Sequence, residues 1–352
     1  MRTPTCLLIL ILSVIGHASN STRQAVRAEG GGPLDNLPAH IVRLTHWGQR
    51  ADWSHDSKRI LFIAKTFGDV YEIELATRIT RPMTHHYFHE GYTRALYLSN
   101  GDILLSGARK FDATRPWASR HTEAELWVLD KGLSGPPTPL AEKCSEGPAV
   151  SRRRLRIAWT IDHGDYPKRL PKGCSQIWTA DIAYEGGQAK LVNKKKVLDN
   201  RDLPFRTGLE TQNFRPPDEK ELIFSAYGYQ GTEVMGLHLE TGKVINYSKA
   251  RGQYDEPEGI FPDGRFTLVE CDKHRTDGKG SQNIDVYKLA LDGSGRTQRV
   301  TFFNDSLGYK ASNPVVSDDA RFMAFQFAKV GDAAGVGRGI LIYDFAKATG
   351  QR

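Results

Sequence analysis

The chain has 352 residues, with 48 Lys and Arg against 41 Asp and Glu, a net charge of +7, and 39% hydrophobic residues. Glycine is abundant at 34 residues and aromatics make up 10%, while strand-length apolar runs such as "RILFIAK", "RFTLVEC" and "RFMAFQF" recur between turn residues. These features argue against a helical fold and for an all-β one, and no segment beyond the N-terminal leader is apolar for long enough to cross a bilayer.

Arg2 precedes "CLLILILSVI" (Cys6 to Ile15), an apolar run of about ten residues followed by "GHAS", which is the pattern of a secretory signal peptide. Residues 1–18 are expected to be that signal, cleaved after Ala18, and residues 19–37, "SNSTRQAVRAEGGGPLDNL", to be a polar, Gly-rich flexible linker. The protein is then exported, to a periplasm or beyond, and residues 38–352 carry the fold.

"HIVRLT" at residues 40–45 has the form of a segment that closes a repeat. Six stretches follow that can be laid over one another: "WSHDSKRILFIA" from Trp53, "LSNGDILLSG" from Leu98, "VSRRRLRIAWTI" from Val150, "RPPDEKELIFSA" from Arg215, "IFPDGRFTLVE" from Ile260 and "VSDDARFMAFQ" from Val316. Each is a small or apolar residue, a polar turn and an apolar strand, which reads as a hairpin. A third strand follows each hairpin: "VYEIEL", "ELWVLD", "QIWTAD", "EVMGLHL", "NIDVYKLAL" and "GILIYDF". A fourth element ending near Leu-Thr or Val-Thr closes the unit, best seen in "RVTFFN". Four strands per unit at this spacing predict a six-bladed β-propeller of four-stranded blades. The sixth unit lacks its fourth strand, so residues 40–45 are expected to pair with 339–345 and complete the last blade.

The segments "RLT…ADWSHDSKRILFIA…VYEIEL", "PEGIFPDGRFTLVEC…IDVYKL" and "RVTFF…NPVVSDDARFMAFQ…ILIYDF" resemble the TolB-like, WD-like propeller repeat of exported bacterial proteins. The resemblance implies the fold and leaves function open, because that propeller serves both as a binding platform and as an enzyme.

In such a fold the loops before the first strand and after the second strand of each blade share one face. Seven histidines fall in them: His46, His85, His86, His89, His121, His163 and His274. His85, His86 and His89 with Glu90 form the tightest group, a candidate ligand set for a divalent metal ion; the alternative is hydrogen bonding to loop backbone. Arg109, Arg115 and other cations make the same face basic, suited to an acidic ligand. Trp47 and Trp117 on this face suit stacking on sugar rings, and equally suit packing over blade ends. Glu256 and Glu258 in "YDEPEG" are placed in the loop leading into the fifth blade, as candidate acid–base groups.

No Gly-x-Ser-x-Gly element occurs and no hydrolase domain follows the repeats, which excludes a prolyl-peptidase-type enzyme. The leading expectation is a monomeric binding module for a protein or acidic glycan, not nucleic acid. The alternative is a metal-assisted lyase on uronic-acid sugars, similar to oligogalacturonate lyases, whose family implies manganese held by histidines and a glutamine; their His-x-His element has no counterpart here, and their seven blades exceed the six repeats. Finally, Cys144 and Cys174 flank neighbouring strand ends of the third unit, and an oxidising compartment predicts a disulfide between them. Cys271 is expected to stay a free, buried thiol.

Overall fold

The computed structural model describes residues 32–144, 147–275, 278–332 and 335–349. The expected signal peptide and most of the expected linker lie outside the described residues. Gly32–Asn36 forms a turn in which the backbone N–H of Gly32 donates to Asp35 Oδ2 at 2.6 Å. From Leu37 onward the chain is one compact unit.

That unit is all-β and propeller-like. The first sheet holds Gln49–Trp53, Arg59–Ile63, Val70–Glu74 and Thr80–Pro82, the second Arg94–Tyr97, Ile103–Ala108, Ala124–Leu129 and Thr138–Lys143. The third holds Ala149–Val150, Arg156–Asp162, Ser175–Glu185 and Gln188–Asp199. A fourth group (Gly208–Phe214, Glu221–Tyr227, Gly231–His238, Val244–Asn246) and a fifth (Gln253–Ile260, Phe266–Cys271, Asp285–Ala290, Thr297–Arg299) are joined into one sheet by a short parallel pairing of Gly231 and Thr232 with Gln253 and Tyr254. The last sheet comprises Tyr309–Val316, Phe322–Lys329 and Ile340–Asp344, and its edge is Ile41–Arg43 from the start of the unit. Ile41 pairs with Tyr343, Val42 with Ile342 and Arg43 with Leu341, all antiparallel. The strand at the expected closing segment thus lies where its pattern places it.

The repeated hairpin has a common cause. In five of the turns an Asx side chain accepts the N–H two residues on: Asp56 from Lys58, Asn100 from Asp102, Asp218 from Lys220, Asp263 from Arg265 and Asp319 from Arg321. The residue between adopts positive φ in each, as Ser57, Gly101, Glu219, Gly264 and Ala320. This side-chain mimicry of a backbone turn is why Asp and Asn recur there. In the third hairpin Ser151 Oγ does the same work, accepting from Arg153 and Arg154.

Apolar side chains fill the space between neighbouring sheets. Leu61, Ile63, Ile103 and Leu105 pack between the first and second, and Leu104, Leu126, Ile157 and Trp159 between the second and third. Ala51, Trp53, Phe62, Ala324 and Ile340 join the first to the last. Sheets buried on both faces explain the near-continuous apolar second strands. The first strands pack on one another in sequence: Gly208–Phe214 on Gln253–Ile260, that on Tyr309–Val316, and Tyr309–Val316 back on Gln49–Trp53. One feature departs from the repeat. The outer hairpin of the third sheet has strands of 11 and 12 residues, longer than the other outer strands.

Candidate functional site

The first strands are irregular where they matter most. Four of them carry one extra residue against the second strand, at Arg50/Ala51, Gln212, Glu258 and Asn313/Pro314. Arg50 and Asn313 sit there at φ of 54° and 47°. Such bulges break the alternation of side chains and turn an additional one toward a new direction. Here Arg50, Glu258 and Asn313, from three of these bulges, converge with Arg94, Glu210 and Glu270 on one cavity of about 260 Å³.

Its chemistry is dominated by carboxylates among guanidinium groups. Glu210, Glu256, Glu258 and Glu270 are all buried, and Arg50, Arg94, Arg120 and Lys310 line the same space. Carboxylate oxygens of Glu256, Glu258 and Glu270 lie within 4.8 Å of one another. Asn313 ties two of them, donating from Nδ2 to Glu258 Oε1 at 2.8 Å and from its backbone N–H to Glu270 Oε1 at 2.7 Å. The Tyr227 hydroxyl lies 2.7 Å from Glu210 Oε2 and also meets Glu256 Oε1, while Tyr254 donates to Glu256 Oε2. The Tyr227 hydroxyl has one proton, so it donates to one of these carboxylates at a time.

Burial raises the Glu258 carboxyl from the ordinary 4.5 to about 7, with Glu256 adding to the rise and Arg94 and Arg50 opposing it. Glu270 is pushed well above the ordinary range by burial and by Glu256 and Glu258. Burial first, then neighbouring carboxylates, raises Tyr227 and Tyr254 as well, so both stay protonated donors. Three carboxylates this close cannot all carry full charge out of water. They are relieved by protons, by the arginines, or by a cation.

The cavity opens at the end where the first strands begin and the second strands end. At the opposite end of the first strands a clasp ties the sheets together. Arg152, from the third sheet's hairpin, donates through Nε to Asp318 Oδ1 at 3.1 Å and through a terminal nitrogen to the carbonyl of Trp53 at 2.8 Å. His55 bridges Asp318 Oδ2 at 3.1 Å and the carbonyl of Leu98 at 2.9 Å. Glu219 takes the backbone N–H of Arg152 at 3.1 Å. A larger cavity, about 410 Å³, lies between the first and second sheets. Its buried Glu72 is already engaged by Arg59, Arg81 and Tyr97, so no free chemistry converges there.

The residues expected from sequence divide sharply. Glu256 and Glu258 do meet, though on the strand Gln253–Ile260 and not in the loop before it; the bulge makes both side chains part of the cavity wall. The metal set His85, His86, His89 and Glu90 is not brought together. His85 and His86 are exposed, His86 lies 3.2 Å from the carbonyl of Gly135, and His89 spends both ring nitrogens on Asp69 Oδ1 at 3.0 Å and the Gly91 N–H at 2.9 Å. Among the described residues, the three glutamates are the group of His, Cys, Asp and Glu that could hold a metal ion. The histidine–glutamine manganese set implied by the lyase resemblance therefore does not fit, whereas an all-oxygen set suits a hard divalent cation.

The other expected residues are dispersed. His163 Nδ1 lies 2.6 Å from the carbonyl of Leu170, and His274 is held by Tyr287 and Asn304. Burial lowers the pKa of His274. Arg109 is paired with Glu125 and lies over Trp127, and Arg115 is paired with Asp112. His46 is exposed, and Trp47 packs on Phe62 and Tyr71. Trp117 and His121 stack on each other at 4.7 Å, on the turn that also carries the cavity-lining Arg120. Arg50, Arg94, Glu210 and Glu270 escaped the sequence reading, because each looks like an ordinary polar residue at a strand end.

The expected disulfide is corrected: Cys144, Cys174 and Cys271 are all buried and none is in a disulfide. Cys144 and Cys174 pack in the same apolar cluster as small hydrophobes, and Cys174 Sγ faces the Asp199 carboxylate, 3.9 Å from each oxygen. Cys271 is free as expected. No described helix is long and apolar enough to cross a membrane.

No family model and no curated protein matches the chain in sequence. Solved structures do match it in fold. A gluconolactonase from Xanthomonas campestris superposes with a TM-score of 0.53 at 10% identity, over 86% of this chain and 89% of that one. An oligogalacturonate lyase from Vibrio parahaemolyticus gives 0.50 at 11% identity, over 86% and 93%. TolB from Acinetobacter baumannii gives 0.42 at 12% identity, over 82% and 68%, too distant to bear on the argument. At these identities the likeness is one of fold.

Proposed function

We propose that the chain is an exported, six-bladed β-propeller, closed by Ile41–Arg43 in the last blade, that binds an acidic saccharide in its axial cavity. The observation that carries this is the convergence of Glu256, Glu258 and Glu270 with Arg50 and Arg94 on one cavity of about 260 Å³. Carboxylates and the side-chain amide of Asn313 suit sugar hydroxyls, which both donate and accept. A guanidinium suits the carboxylate of a uronic acid. A cavity of this size holds one sugar residue, so the ligand is a monosaccharide or the end of a chain. Export rests on the apolar run Cys6 to Ile15 and the small residues after it.

Calorimetry on the mature chain tests this, with galacturonate and glucuronate as probes, with and without calcium or manganese. Binding that is lost in Arg94→Ala supports the reading. No binding of any uronic acid under either condition overturns it.

A second reading is favoured by Glu258 at about 7. A carboxyl poised near neutrality is the group a proton-abstracting enzyme needs. In that reading Glu258 is the base of a lyase-type reaction on the sugar the cavity binds, and Arg50 and Arg94 neutralise the sugar carboxylate. Formation of an unsaturated uronate, followed by its ultraviolet absorbance, separates the two readings.

A further inference from the structure

The connection between Ile103–Ala108 and Ala124–Leu129 contains the short helix α1, Pro116–Arg120. Arg120 lines the axial cavity. Trp117, three residues earlier on the same turn and about 4.5 Å back along the helix, is 66% exposed. Its ring is stacked on His121 at 4.7 Å and 29°. One indole face is therefore backed by an imidazole, and the exposure of the rest leaves the other face open.

The segment is built before any ligand arrives. The backbone N–H of Asp112 donates to Ser119 Oγ at 2.9 Å, and Ser119 is fully buried. Arg115 holds Asp112 at 2.8 Å, and the N–H of Glu123 donates to the carbonyl of Ala118 at 2.8 Å. A platform fixed in this way loses little freedom on binding. Arg109 and Arg115, two cations of the same connection, already have carboxylate partners. What Trp117 adds is thus an apolar face, not charge. The C–H face of a pyranose ring is the complement of an indole face whose π cloud is negative.

We propose that the open face of Trp117 is a second sugar position, taking the next residue of an acidic saccharide whose terminal residue occupies the axial cavity. The proposal rests on the axial cavity being a saccharide site. It makes the protein selective for chain ends over single sugars.

Calorimetry with galacturonate and with its linear trimer, on wild type, Trp117→Ala and Trp117→Phe, tests it. The wild type is expected to bind the trimer about tenfold more tightly than the monomer, the usual scale for one aromatic stack. Trp117→Ala should lose that advantage with monomer affinity unchanged, and Trp117→Phe should keep most of it. Circular dichroism of the variants, expected to match wild type, guards against misfolding. Equal affinity of the wild type for both ligands, an advantage that survives in Trp117→Ala, or an equal loss for monomer and trimer overturns the second position alone. Failure of the wild type to bind either ligand overturns the axial reading, and this one with it.

Discussion

Glu256 and Glu270 are register partners across the first two strands of the fifth group, two buried carboxylates set opposite each other on neighbouring strands. Like charges directly opposite destabilise a sheet, and the bulge adds Glu258 to the same cluster. A fold that keeps such an arrangement has a use for it, and the cost should be measurable.

The cost sets a pH dependence. The Glu258 carboxyl is raised in the folded chain to about 7 from 4.5, so between those values the folded state binds more protons than the unfolded one. Stability therefore falls as pH rises through that window. Asp255 and Asp285, raised to about 6 by burial, act in the same direction. The ligand-free protein should melt a few degrees higher at pH 5 than at pH 8, and Glu258→Gln should flatten the profile and melt higher than wild type at pH 8. A melting temperature that rises from pH 5 to pH 8 in the wild type contradicts the burial of this cluster.

Closure is tested by truncation. Removing residues 38–45 takes away three ladder pairs, the buried Ile41, and the bond from the Ile340 N–H to Thr45 Oγ1 at 2.9 Å. The loss should be about 3 kcal/mol or more, seen as a clear drop in melting temperature. Unchanged melting would mean that the last sheet does not depend on this strand.

Arg152 gives a separate handle on stability. Its Ala variant leaves Asp318 and Asp52 without their guanidinium, and removing one partner of a largely buried pair should cost about 2 kcal/mol. Asp318 is lowered by His55 and Arg152 despite burial, so the loss should be present at pH 7 and fade as pH falls and the carboxylate is protonated. Equal destabilisation at acid and neutral pH would assign the effect to lost packing.

Thiol counting decides the cysteines. Denatured, unreduced protein of residues 19–352 should titrate three thiols, Cys144, Cys174 and Cys271, and native protein should react slowly because all three are buried and burial raises Cys174 and Cys271. One reactive thiol in the denatured, unreduced chain would restore the bridge between Cys144 and Cys174.

The fold was legible because its signal is local. Asp56, Asn100, Asp218, Asp263 and Asp319 each make the same bond two residues away, and an apolar second strand follows each turn. The segment at Ile41 was legible because the last unit lacked a partner for Ile340–Asp344. The site was not legible, because nothing local marks it. Glu258 and Asn313 become cavity residues only through a one-residue slip in pairing, and the cavity draws on strands more than two hundred residues apart, from Arg50 to Lys310. Clustered histidines drew attention since they are neighbours in sequence; in space, His89 and His163 serve the backbone and side chains beside them.

The clasp at Arg152 also determines how a ligand can come and go. With Asp318, Trp53, Leu98 and Glu219 tied together at the other end of the first strands, the proposed ligand site is approached from the cavity mouth. On the proposed reading a saccharide is therefore read there from its end. If the protein acts on what it binds, it must work inward from an end, and each product must leave by the mouth through which the chain came in.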